Sequence, residues 1–293
     1  MANNYIVKKV NLSEVICADE FYFKNNRFSK FPFIMVDFYT NKVIDVYQSR
    51  HKSVIRIHFS RIPKKERDNV KYFIIDMYET YRDLALQYFT NAIVAVDSFH
   101  VIKRLNEVLK ETRINVMKEW DLKSNLPETN SKEYFFLKKY SYFLTGKYNK
   151  IPYNKLFYVK YQDTALYKDQ ILNILLNIDS RLNEAYKLYT MYREFNQLST
   201  SRREAELGID SIISEFISSP LKNFREFEYM IERWKEEILN SFIRINNRRL
   251  SNGLIEGTNE KIKKIIRNGN GYRNFEILKK RIFLALNTEI TIK

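Results

Sequence analysis

The chain has 293 residues, 45% of them hydrophobic and 15% aromatic, enough to bury one large core or two modest ones. No apolar stretch approaches the roughly 18 residues of a membrane span, and the opening MANNYIVKKV is too polar for a signal peptide, so a soluble cytoplasmic protein is expected. The single cysteine, Cys17, excludes an internal disulfide and a cysteine-rich zinc site, while a formal charge of +15 points to a polyanion, nucleic acid being the natural partner.

In chain order, residues 14–23 (EVICADEFYF), 31–40 (FPFIMVDFYT) and 42–50 (KVIDVYQSR) read as three short strands. NNRFSK and Thr40-Asn41 are the turns between them, and such short links imply antiparallel pairing. A polar connection with Pro63 and KKERDN follows. VKYFIID at 70–76 is then a nearly continuous apolar run suited to a strand buried on both faces. ETYRDLALQYF is amphipathic at helical spacing (Tyr81, Leu84, Ala85, Tyr88), and AIVAVD at 92–97 is a further buried strand.

The order βββ, crossover, β, α, β is that of the RNase H-like fold, so an α/β protein with a mixed sheet is expected. Beyond Asp97 the pattern turns helical, with Val101, Leu105, Val108 and Leu109 on one stripe and a loop at Pro127. From about 130 to 248 only helical patterning is legible, and SNG at 251–253 marks its end. The expected division is a first part of an RNase H-like core at 1–120, an all-helical insertion at 121–250, and C-terminal helices at 251–293 that complete the core. In full, the reading is βββ-α-β-α-β-α with a large insertion before the last helix.

Three acids in separate motifs stand out: Asp19 in ICADEFYF, Asp76 in VKYFIIDMYETY and Glu256 in SNGLIEGTNEKIKK. A mid-strand carboxylate such as Asp19 is costly to bury unless paired or bound to a cation. Glu20 is expected on the opposite face by strand alternation. Asp37 and Asp45 compete with Asp19 as the acid of the first strands. Asp76 closes its strand, where ligands of open α/β sheets gather, and Asp97 closes the next, three residues before His100; helix capping would account for either aspartate as well.

Glu256 falls in the first turn of a helix that Ser251 or Asn252 could cap, with Asn259 and Lys263 at one-turn spacings on the same face. Lys261, Lys263, Lys264, Arg267, Arg273, Lys279 and Lys280 concentrate positive charge around that motif, as a DNA backbone would require, although a solvated basic face has the same pattern. Three carboxylates suffice to hold two hard divalent cations about 3.5–4 Å apart, which together activate a hydroxyl nucleophile and stabilise the leaving oxygen of a phosphodiester.

ADEFYFKNN, VKYFIIDMYETYRDLALQYFTNAIVAVDSFHVIKRLN and SNGLIEGTNEKIKKIIRNGNGYRNFEILKKRIF resemble the catalytic domain of ISL-three-like bacterial insertion-sequence transposases, a DDE family with an RNase H-like fold. The resemblance covers most of the chain outside the helical insertion. It implies metal-dependent cleavage and transfer of DNA strands, with Asp19, Asp76 and Glu256 as catalytic triad and ligands of two Mg²⁺ or Mn²⁺ ions. It also favours Asp19 over Asp37 and implies a supporting role for Asp97 and His100; Asn259, on the same helix face as Glu256, is a further supporting candidate. The implied partner is double-stranded DNA, as transposon ends and target, bringing the cytoplasmic protein to the nucleoid; a homo-oligomer in the DNA complex and a separate DNA-recognition polypeptide are compatible with it. Such proteins normally begin with a zinc-binding and helix-turn-helix region, whereas this chain reaches the first catalytic strand at once and has no C-x-x-C pair, so a catalytic portion alone is expected. A non-catalytic DNA-binding remnant and another RNase H-like DNA nuclease are the alternatives.

Overall fold

The structure is a computed structural model that describes residues 11–123, 131–145, 148–269 and 271–287. The N-terminal ten residues and the loop at Pro127 lie outside the described residues. By its contacts the chain divides into two compact units, one of residues Met1–His100 with Trp234–Lys293 and one of Val101–Arg233.

The first unit is built on a five-stranded sheet: β1 (Val15–Glu20), β2 (Phe33–Asp37), β3 (Val43–Tyr47), β4 (Tyr72–Ile75) and β5 (Ile93–Val96), in the order β3-β2-β1-β4-β5. The short turns make β1, β2 and β3 antiparallel, while the connections through helices make β1, β4 and β5 parallel. Helices cover both faces, so these strands are apolar almost without alternation.

On one face lie α1 (Lys52–Ser60) and α3 (Glu79–Tyr88), with α2 (Lys64–Asp68) in the connection between β3 and β4. The polar connection expected around Pro63 thus carries two helices, and the Ile55/Phe59 pair, one turn apart, is what buries α1. Phe33, Tyr47, Phe59, Phe73 and Phe89 form an aromatic layer with centroids 4.9–6.2 Å apart.

The opposite face packs on α11 (Gly253–Asn268) and α12 (Phe275–Asn287), joining Val15, Cys17, Ile34 and Val36 to Ile255, Ile262, Leu278 and Ile282. A register shift between Met35 and Val36 lets both Val43 and Val46 of β3 join this core. α10 (Lys235–Asn240) lies against β5, where the Asn240 amide donates to the Val94 carbonyl at 2.8 Å.

The second unit holds most of α4 (Ser98–Lys123), with α5 (Lys132–Lys139), α6 (Lys168–Leu176), α7 (Ser180–Leu198), α8 (Arg202–Ser218) and α9 (Lys222–Arg233). Two hairpins correct the purely helical reading of 130–248. β6 (Leu156–Val159) pairs with β7 (Thr164–Tyr167) in the second unit, and β8 (Arg244–Ile245) with β9 (Arg248–Arg249) in the first. Each turns on residues that tolerate positive φ: Asp163 at 47°, and the Asn246-Asn247 pair at 50° and 63°, the pattern of a two-residue hairpin turn. No helix among the described residues is long and apolar enough to cross a membrane.

Candidate active site

Parallel pairing sets the site. β1 and β4 run in register with Cys17 opposite Ile74, and β4 and β5 with Ile75 opposite Val96. Continued past the strand ends, these registers rank Asp19, Asp76 and Asp97 side by side along the carboxyl edge, the edge at which open α/β sheets gather their ligands.

Asp19 is 8% exposed, and its two oxygens are both engaged: Oδ1 accepts from the Glu20 backbone N–H at 2.8 Å and Oδ2 from the Asn259 amide at 3.0 Å. Burial, then the neighbouring negative charges of Glu20, Asp76 and Asp97, push its pKa up to about 8 against the opposing Glu20 N–H bond. Asp19, Glu20 and Asp76 each offer a carboxylate oxygen, and the three oxygens lie within 4.8 Å of one another. This hard, oxygen-only donor set suits Mg²⁺ or Mn²⁺.

Glu20 joins the group from the other face. Alternation does send it to the other face, where Tyr81 of α3 donates to its Oε2 at 2.7 Å and Arg50 pairs with Oε1 at 2.7 Å. It is nevertheless the last residue of β1, so its long side chain reaches the carboxyl edge and joins the two aspartates. Arg50 is itself braced over the rings of Phe31 and Tyr78 at 4.5 and 5.4 Å. No local pattern in the sequence marks Arg50 or Tyr81 as partners of Glu20, because the contacts span 30 and 61 residues.

The competing strand acids have other work. Asp37 accepts from Tyr39 N–H, Thr40 N–H and the Thr40 hydroxyl and so closes the β2–β3 turn; Asp45 pairs with Lys279. Asp97 is buried and accepts from Phe99 N–H at 3.3 Å, capping α4. Burial raises its pKa, opposed by backbone hydrogen bonds from Phe99 and Asn252 and by the charge of Arg249. His100 stands one turn into α4, its ring edge-on to Phe99 at 5.6 Å.

The helix α11 is tied to β1 by two buried asparagines. Asn252, at the N-cap position, makes no side-chain cap; its amide donates instead to the Ala18 carbonyl at 3.1 Å. Asn259 donates to Asp19 and also to the Glu20 carbonyl at 3.2 Å. Glu256 lies four residues after Asn252 and three before Asn259, on the helix face that both anchors turn to β1. Its carboxylate is not part of the close group of Asp19, Glu20 and Asp76.

The family model of the ISL-three-type DDE transposases, described simply as transposase, matches residues 16–282, across both compact units. The chain belongs to this transposase family. No curated protein and no solved structure matches it. As a transposase it acts on DNA, and its basic residues are placed unevenly for that task. Lys261, Lys264, Arg267 and Arg273 are exposed, Lys263 is exposed but pairs with Glu260 at 2.6 Å, Lys279 is engaged by Asp45, and Lys280 is half-buried.

Proposed function

We propose that this transposase cuts and joins DNA strands at the carboxyl edge of its sheet, in an RNase H-like fold, with Asp19, Asp76 and Glu256 as the metal-binding triad. The reading rests on the convergence of Asp19 and Asp76 oxygens within 4.8 Å, on parallel strands that end side by side. The sheet order β3-β2-β1-β4-β5 and the helix α11 anchored on Asp19 itself support it.

Two Mg²⁺ or Mn²⁺ ions held there would activate water for the first cut and a DNA 3′-hydroxyl for joining, and stabilise charge on the leaving oxygen. The protein's own contribution is orientation. Asn259 and the Glu20 N–H fix the rotamer of Asp19, while Arg50 and Tyr81 hold Glu20 from the other face of the sheet. Glu256 would complete the triad from α11, whose axial position Asn252 and Asn259 set. Lys261, Lys264 and Arg267 meet backbone phosphates, so binding through them weakens steeply with salt and depends little on sequence.

The test is cleavage and joining of a supercoiled plasmid with Mg²⁺ or Mn²⁺, comparing the parent protein with Asp19→Asn, Asp76→Asn and Glu256→Gln. Each variant should lose cleavage by about 10²–10³-fold or more, the scale of losing one essential electrostatic group, while still binding DNA. Near-normal cleavage by a variant removes that residue from the triad. Parent protein that nicks without producing joined strands would make it a nuclease only.

A further inference from the structure

The β6–β7 hairpin pairs Leu156 with Tyr167 and Tyr158 with Ala165, which places these four residues on one face of the ribbon. The other face is seated in the second unit: Val159 and Leu166 are buried, and Phe157 meets Phe143 edge-on at 5.2 Å. The first face is open, with Leu156 50%, Tyr158 62% and Tyr167 46% exposed. Tyr161, at the tip, is half open and braced edge-on against Phe135 at 4.8 Å.

A two-stranded ribbon with an uncovered, tyrosine-rich face is unusual in water unless something binds it. Its charge indicates what. Lys150, Lys155 and Lys160 are exposed around the ribbon, and the exposed Lys138 and Lys139 lie over the rings of Tyr134 and Phe135 at 5.3 and 5.1 Å. The five lysines outnumber the acids of this segment, Glu133, Asp163 and Asp169, of which Asp163 accepts from the Tyr158 hydroxyl and Asp169 from that of Tyr148. A second copy of the same face would bring lysines against lysines, so the complementary partner is an anion with flat apolar groups.

We propose that the β6–β7 ribbon is a second DNA-contact surface that takes unpaired nucleotides. Bases stack on Tyr158 and Tyr167, and Lys160 meets a flanking phosphate. A base inside a duplex has no free face to offer a tyrosine, whereas an unpaired one does; every base has such a face, so the preference is for strandedness rather than sequence. The surface is separate from the carboxylates and needs no metal.

The full-length protein is titrated with oligo-dT and with a duplex in EDTA, by fluorescence anisotropy. Tyr158→Ala with Tyr167→Ala should weaken oligo-dT binding by roughly 5- to 150-fold per stacked base and leave duplex binding almost unchanged. Tyr158→Phe with Tyr167→Phe should retain affinity, since the ring is kept. Lys160→Ala should flatten the log–log salt dependence on single strands by about 0.7 or less. In a Tyr158→Trp protein, saturating oligo-dT should quench the new indole, a readout that holds even if the alanine pair fails to fold. Asp19→Asn should bind oligo-dT like the parent, which separates this surface from the proposed triad. Unchanged oligo-dT affinity in the alanine pair, equal losses on duplex and single strand, or no indole quenching would overturn the proposal. A concentration-dependent dimer abolished by the alanine pair would also overturn it and assign the face to self-association.

Discussion

The two units solve opposite problems with their polar groups. In the sheet-bearing unit Asp19, Asp37, Asp97, Asn252 and Asn259 are buried, at strand ends and against α11. In the helical unit the interior is mainly aromatic and aliphatic, with Tyr192, Phe216, Phe224 and Phe227 packed at centroid separations of 5.6–6.5 Å; its buried charge is a cation, Lys168, which donates to the Ile151 carbonyl at 2.9 Å, and no buried acid occurs among its described residues. Buried carboxylates cost stability unless hydrogen bonds, a partner charge or a cation compensate them, whereas buried rings supply stability. Substitutions in the two units should therefore separate stability from activity.

The largest effect on stability belongs to the helical unit. Phe216→Ala removes a fully buried ring and should cost about 3–5 kcal/mol, read by urea unfolding. If Asp19→Asn destabilises the metal-free protein as much as this, the contrast between the units fails.

Next comes the pH dependence of the sheet-bearing unit. In the unfolded chain Asp19 ionises near its ordinary value of 3.8, whereas in the fold its pKa is pushed up to about 8. Between these values the folded Asp19 binds a proton that the unfolded one has lost, so its own contribution favours folding most below about pH 4 and is lost as pH rises towards 8. From pH 5 to pH 8 in EDTA the loss from this group should be about 2–4 kcal/mol. Asp19→Asn, which cannot ionise, should flatten the slope, and an unchanged slope would mean that Asp19 is not held protonated.

The smallest effect sharpens the comparison at the junction of β1 and α11. Asn259→Ala removes two hydrogen bonds to the Asp19 segment and should cost about 1–3 kcal/mol. It should lower kcat more than substrate KM, because it disturbs the orientation of Asp19 and not the basic face of α11. A loss confined to KM would show that Asn259 serves DNA binding instead.

Much of the sheet was legible because its physics is local. Residues in β1 to β5 are mostly β-branched or aromatic and buried on both faces, so nearly continuous apolar runs marked them, and Asp76 and Asp97 ended theirs as strand-end acids do. The helical reading of 130–248 failed at β6, β7, β8 and β9 because short ribbons with exposed tyrosines or arginines carry no buried period; only Asn246-Asn247 and Asp163 signalled their turns. The pattern FREFEYMIERWKEEILNSF also reads as one helix, yet the chain breaks at Trp234, whose ring stacks under Arg82 at 4.3 Å, and α10 belongs with β5.

By itself the sequence determined the family, the strands, the acids that close them and the basic helix that follows Glu256, since each is written in a contiguous run of residues. Tertiary structure alone decided that Glu20 joins Asp19 and Asp76, that Arg50 and Tyr81 hold it, and that Asn259 reaches Asp19 from 240 residues away. The physical reason is that a carboxylate's neighbours are set by strand register and helix docking. Both are long-range packing events that leave no period or spacing in the chain.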